Sequence, residues 1–456
     1  MNKVEQQRFY RTGCALALLF MILSRLIWLQ LRTFSNPENK DFWSSLLELD
    51  SLDRGRQGSC AILARLLSTN KFPGKEKIVF SNFSSLSREN IHAFVLRAPA
   101  TWMFQETLCM EDHLRDGEKI WAEEEFLKWN LRAMIVLIFF CCLITRMLTG
   151  SWLISLLVAV MLLSRGSVLN KIGEASFHLP VSLSLTAFFT FCIYFFRTFS
   201  QTSFWAYSLC LLLLIFLKPQ LYALGLMIPI CSLLSSYVYR FSPLEQGSSL
   251  RLSFLRPLCF SSFLSSKMKD LRKKYALQTL GLSLLVMLGL FFWNVFLGLR
   301  FEAVFSDLTV SKGPSIIFSL EFWSDFFSFS KKIADDLQKV LSSFLNFHLL
   351  VSFAVLIFTG VRLFFDHSYR IISEFSLYFL ILISLSVLSC LSYPFFVYLI
   401  QNVFFYQGGF HSYRQNWFLS DLLSWLEPMI LTMGLCGAYE IFQKSRAKIS
   451  SLFPKR

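Results

Sequence analysis

Charge is what this chain has least of. Only 16% of its residues are Asp, Glu, Lys or Arg, against about 25% in an ordinary soluble domain. A water-exposed globular surface cannot be built from so little charge. Histidine is scarcer still, at six residues, and neither a Cys-x-x-Cys pair nor a histidine cluster has metal-ligand spacing, so no metal site is expected. The phosphate-binding glycine loop, the Gly-x-Ser-x-Gly elbow and the His-Glu-x-x-His helix are all missing, which removes the commonest nucleotidase, hydrolase and metalloprotease readings. No internal repeat supports a transporter built of inverted halves. Acidic residues are expected outside the apolar spans, which disfavours a proton-coupled pump.

What is present is hydrocarbon-compatible: 54% of residues are hydrophobic, and Phe alone fills 51 of 456 positions. The apolar runs are Leu- and Phe-rich without a two-residue alternation, so they read as helices rather than barrel strands. The expected fold is an all-α polytopic membrane protein of about ten transmembrane helices with a large first lumenal loop. The net charge of +14 lies in short loops and tails flanking the spans, where it orients the chain by the positive-inside rule rather than marking a nucleic-acid partner.

The chain divides accordingly. Residues 1–31 are a cytosolic tail and signal-anchor span, and 32–132 form the lumenal loop. Residues 133–240 are transmembrane hairpins, 241–275 a basic cytosolic loop, and 276–456 further spans with a lumenal amphipathic loop and a basic cytosolic tail. In this layout Arg165 to Glu174 is a second lumenal loop, with the cations Arg165 and Lys171. Ser151 to Leu163, at thirteen residues, is short of the roughly 20 that a straight crossing needs, so it must tilt or borrow its flanks. Lys218-Pro219 breaks the helix that precedes it.

The large loop is the chemical centre of this reading. A polar segment of that length is seldom mere connection, and it carries Asp53, the sequon Asn82-Phe83-Ser84 and an acidic end. The sequon makes Asn82 a glycosylation position if the loop is lumenal. Cys60 and Cys109 are its only two cysteines, and an oxidising compartment would leave their pairing open either way. Glu174 and His178, four apart, can share a helix face; two such groups alone do not make a metal site. A carboxylate on the lumenal side facing cations suits a membrane glycosyltransferase with a lipid-phosphate sugar donor. The carboxylate acts as base or orients the acceptor, and Arg or Lys stabilises the departing phosphate.

Three stretches carry a resemblance: Thr149-Gly150-Ser151 through Val168, Gly173-Glu174-Ala175-Ser176-Phe177-His178-Leu179-Pro180, and Phe216-Leu217-Lys218-Pro219-Gln220. Over roughly residues 130–240 the chain resembles the tryptophan C-mannosyltransferases, the dumpy-nineteen-like family of the GT-C class, as a divergent and carboxyl-terminally shortened member. The resemblance implies a GT-C-like bundle in the endoplasmic reticulum membrane, dolichyl-phosphate mannose as donor, and a lumenal acceptor polypeptide bearing Trp-x-x-Trp. No cofactor is implied. It places the catalytic carboxylate at Asp53, in Asp53-Arg54-Gly55, sets Arg165 and Lys171 toward the donor phosphate, and puts Glu174 and His178 behind them. Gly173 stands where the family has an Arg. Two other readings stay open: a catalytically inactive relative serving as a membrane scaffold or interaction protein, and an unrelated channel or transporter component.

Overall fold

In hydrocarbon every peptide group must find its partner within the chain, and a run of Leu and Phe does so by coiling into a helix. The computed structural model describes residues 14–15, 17–27, 116–172, 178–198, 200–241, 274–292, parts of 320–331, 347–365, 371–404 and 416–452. Among these residues all regular structure is helical. The elements are α1 (Ala17–Ile27), α2 (Asp116–Thr149), α3 (Trp152–Ser164), α4 (Gly166–Leu169) with a 3-10 turn at Asn170–Ile172, and α5 (His178–Thr198). They continue with α6 (Gln201–Leu217), a 3-10 segment Pro219–Leu226, α7 (Met227–Phe241), α8 (Lys274–Phe292), α9 (Phe347–Phe365), α10 (Ile371–Phe404) and α11 (Asn416–Leu452).

Five helices hold stretches long and apolar enough to cross a bilayer: Lys128–Thr149, His178–Phe196, Lys274–Phe292, Ile372–Tyr393 and Leu422–Gln443. The chain is a helical membrane protein with several spans. The short third run borrows its flank: Trp152–Ser164 and Gly166–Ile172 together pass as one span, bent by 72° at Arg165. What sequence alone reads as a plain loop from Arg165 is therefore helical as far as Ile172. Ala17–Ile27, Gln201–Leu217, Pro219–Leu234 and His348–Arg362 are apolar but shorter, at 10–17 residues.

Burial ranks the helices. In α5 and α11, 78% and 72% of the spanning window is covered by protein, whereas in α8 only 22% is. The first two are therefore the axis of the bundle, and α8 shows Leu277, Leu284, Leu285 and Phe292 outward, as a lipid-facing helix should. Phenylalanine builds the centre. Phe189 of α5 meets Phe379 of α10 at 5.1 Å between ring centroids, Phe196 meets Tyr378 at 4.9 Å, and Phe188 meets Tyr207 of α6 at 4.7 Å. Offset or tilted aromatic pairs at these separations add about 0.5–1.5 kcal/mol each beyond the area they cover.

The contacts sort the helix ends into two faces. On one, Asn130 of α2, residues 165–172, the start of α5, the end of α6 and the start of the α11 span come together. On the other lies the α2–α3 turn. Gly150 adopts φ 68° there, a conformation without strain only for glycine, and Ser151 caps α3 by accepting from the Ile154 amide. Arg146 stacks 4.8 Å over Trp152 beside that turn. At this second face α10 and α11 are joined by the Ser373 hydroxyl, which donates to Glu440 at 3.3 Å, and Tyr378 donates to Glu374 at 2.5 Å. α9 and α11 approach through small residues: a Cβ built on Gly434 would lie 2.7 Å from Ser352 Cβ, the close backbone approach that membrane helices use in place of a hydrophobic drive.

These contacts correct one expectation. Glu374, Glu427 and Glu440 are buried inside two of the spans, so acidic residues are not confined to the loops. Each persists because a hydroxyl donates to it, without which burial of the charge is prohibitive.

Candidate functional site

The polar centre of the first face begins with a proline. Pro428 lies within α11 and has no amide hydrogen, so the carbonyl four residues back, that of Ser424, has no partner in its own helix. The Lys171 ammonium fills the place, donating to the Ser424 carbonyl at 2.6 Å. Glu427, one residue before the proline, lies 3.9 Å from the same ammonium and accepts from the Ser167 hydroxyl at 2.6 Å. Asn130 of α2 donates to the Ile172 carbonyl at 3.2 Å. The second piece of the bent pair, Gly166–Ile172, is thus fastened to α11 through Ser167 and Lys171 and to α2 through the Ile172 carbonyl. Lys171 and Glu427 are each more than nine-tenths buried. A re-entrant backbone at membrane depth is tolerated only where protein supplies such partners.

His178 opens α5 beside this knot. The Trp425 indole N–H, which can only donate, donates to His178 Nδ1 at 2.8 Å, so the ring accepts there and carries its hydrogen on Nε2. Ser424 Oγ stands 3.4 Å from the same nitrogen. Lys218 Nζ stands over the same indole, 4.9 Å from the ring centre, a cation–π distance.

Lys218 owes its place to Pro219. A residue before proline is pushed out of the helical region, and Lys218 has φ −145° and ψ 88°, ending α6 and leading into the 3-10 segment. That segment is docked on α10: the Ala223 amide donates to Ser389 Oγ at 2.9 Å, and the Tyr222 and Ser392 hydroxyls are 2.6 Å apart. Gln220 of the same segment is buried, 4% exposed, and its side-chain carbonyl oxygen has no hydrogen-bond partner among the described residues.

Of the residues expected from sequence, Asp53, Asn82, Glu174, Cys60 and Cys109 lie outside the described residues. Arg165 is half-buried at the 72° bend. Lys171 lies at the first face, with its ammonium committed to Glu427 and Ser424. His178 is a hydrogen-bonded residue between α5 and α11. Sequence reasoning missed Ser167, Lys218, Ser424, Trp425 and Glu427. The signal for the last three was Ser424-Trp425-Leu426-Glu427-Pro428, a carboxylate and a proline together in an apolar run, which by default marks a paired or functional intramembrane charge. Among the described residues no three His, Cys, Asp or Glu side chains gather as metal ligands. Searched against known protein families, curated proteins and solved structures, the chain finds no match in any of them.

Proposed function

We propose that the chain is a divergent GT-C glycosyltransferase that moves mannose from dolichyl-phosphate mannose to tryptophan of lumenal proteins in the endoplasmic reticulum membrane. One observation carries the reading. The stretch whose motifs resemble the C-mannosyltransferases supplies the bent span, His178 and Lys218, and these meet at one face of the bundle. A broken span lined by polar partners is how helical membrane proteins admit a polar headgroup at the edge of hydrocarbon. In this reading the ten apolar segments cross the membrane, that face is lumenal, and the loop bearing Asp53 lies over it. The indole carbon attacks the anomeric carbon, a carbon–carbon bond forms, the bond to the phosphate oxygen breaks, and Asp53 assists removal of the indole proton. Cations on the face stabilise the departing dolichyl phosphate.

A second reading has its own support. Lys171 is spent on Glu427 and Ser424, as in a non-catalytic relative that keeps the fold as a scaffold. Mannose transfer to a Trp-x-x-Trp peptide by the purified full-length chain, beside Asp53→Asn of equal expression, separates the two. Transfer lost in the variant supports the enzyme. No transfer and no donor binding by the unaltered chain would leave the scaffold.

A further inference from the structure

Besides Lys128 and Arg132, which flank Asn130 on α2, Lys171, Arg165 and Lys218 stand at or near this face, and they differ in what they hold. Lys171 is neutralised by Glu427. Arg165 sits at the bend, half-buried. Lys218 is half-buried, has no carboxylate within ion-pair reach among the described residues, and rests on the Trp425 ring. Trp425, which donates to His178, also lies beneath Lys218, so Lys218 belongs to the same polar centre and adds a positive charge that no carboxylate among the described residues balances. Two residues on, the Gln220 amide oxygen is buried without a donor among the described residues. An unmatched buried acceptor costs on the order of 1–3 kcal/mol, and a bound ion, water or ligand is one way a native structure accommodates it. An unbalanced ammonium and an orphan acceptor require opposite things of a ligand: an anion for one, a hydroxyl for the other.

We propose that Lys218 and Gln220 form the headgroup position of this face and take the phosphate ester of a polyol, the ammonium facing the phosphate and the amide oxygen accepting from a hydroxyl. This rests on the glycosyltransferase reading for its lipid form but not for the site itself. It gives the phosphate role to Lys218, where sequence alone assigns Arg165 and Lys171, and explains how the chain manages with Gly173 where the resembling family has Arg. Lys171 becomes the latch that fixes the bent segment, and Lys218 the charge left over for ligand.

The test is equilibrium binding to the full-length chain in zwitterionic-lipid nanodiscs, with a short-chain polyprenyl phosphoryl mannose and with water-soluble mannose 1-phosphate as probes. Lys218→Met keeps the apolar stem and is expected to weaken binding by about tenfold to a hundredfold, the loss of one charge-assisted hydrogen bond, while Lys218→Arg restores most of it. Gln220→Leu separates ligand binding from folding. It removes a buried orphan, so thermal stability should hold or rise while affinity falls. Binding of the polyprenyl probe alone identifies a lipid-borne ester, and equal binding of both a soluble one. Unchanged affinity in folded Lys218→Met, with the unaltered chain binding, overturns this assignment and leaves the donor reading standing. Lys218-dependent binding without any mannose transfer supports the site and sinks the transferase. No binding of either probe by the unaltered chain refutes both.

Discussion

Replacing Lys171 by Met should loosen the whole first face, by an amount the geometry sets. At 3.9 Å from Glu427 an effective dielectric near 20 gives a gross attraction of about 4 kcal/mol. The 2.6 Å bond to Ser424 adds a charge-assisted hydrogen bond of about 1.5–3 kcal/mol, made to a carbonyl that Pro428 leaves without a helical partner. Against these stands the cost of holding the ammonium and the carboxylate out of water. The net effect of removing one member of such a pair is a loss of about 3–5 kcal/mol, because the other is left buried and uncompensated. Glu427 would retain the Ser167 hydroxyl as its remaining partner in the knot.

The assay is thermal unfolding in detergent with a thiol-reactive dye, since Cys141, Cys192 and Cys436 are free and buried and report opening of the bundle. Lys171→Met is expected to show the largest fall in midpoint, Glu427→Gln a smaller one, and the double variant a fall at least about 2 kcal/mol less than the sum, since contacting groups couple by 0.5–3 kcal/mol. In a Pro428→Ala background the residue 428 amide can donate to Ser424, so Lys171→Met should cost less there than in the unaltered chain. Additive losses in the double variant, or a Lys171→Met protein as stable as the original, would refute the latch.

Other expectations follow from single contacts. Trp425→Phe removes the only donor of the indole and should cost about 1–2 kcal/mol in the same dye assay; in a His178→Leu background, where no acceptor remains, the second substitution should add little. Gly434→Ala places a methyl 2.7 Å from Ser352 Cβ and 2.9 Å from its Cα; overpacking of this kind costs about 1–3 kcal/mol, seen as a lowered midpoint. Gly289→Ala meets nothing within 4 Å and should leave stability equal or raise it by about 0.5–1 kcal/mol through better helix propensity. Gly150→Ala must hold φ 68° with a side chain, a penalty of about 1–2 kcal/mol, read as earlier thiol exposure on heating.

The helical, membrane-spanning class was legible because it depends on local composition: where Leu and Phe run uninterrupted, helix is the one arrangement hydrocarbon allows. The break at Lys218-Pro219 was legible for the same reason, since proline acts on its own neighbours. The shortness of Ser151 to Leu163 pointed to borrowed flanks, and the bent pair at Arg165 is how the chain borrows them. The knot itself was not legible. Lys171 and Ser424 are 253 positions apart, and Ser167 and Glu427 are 260 apart, so no periodicity links them. Reading Lys171 as a free cation failed to weigh a carboxylate that only tertiary packing brings near it. Asp53, on which the chemistry of the proposed function depends, lies outside the described residues, and its place relative to Lys218 is the distance that matters most.

A chain with so few charges has placed five ionisable or imidazole groups, Lys171, His178, Lys218, Glu427 and Arg165, at or near one face of its bundle. Stability alone does not account for that, since a well-packed apolar replacement for a buried ion pair is often neutral or stabilising. The geometry offers a reason connected with position. The bent segment has no length of helix with which to hold its own register, and apolar contacts in a membrane are poor at selecting one register over another because lipid competes on equal terms. A lysine that must find a proline-freed carbonyl, and a serine that must find the adjacent carboxylate, each accept one arrangement. With the segment pinned in that arrangement, Arg165 is fixed at the bend. The indole that donates to His178 through its N–H carries Lys218 over its ring, so the same two turns of α11 that lock one cation away position another that no carboxylate among the described residues pairs. Neutralising Lys171 is, on this argument, a condition for Lys218 being available to a ligand.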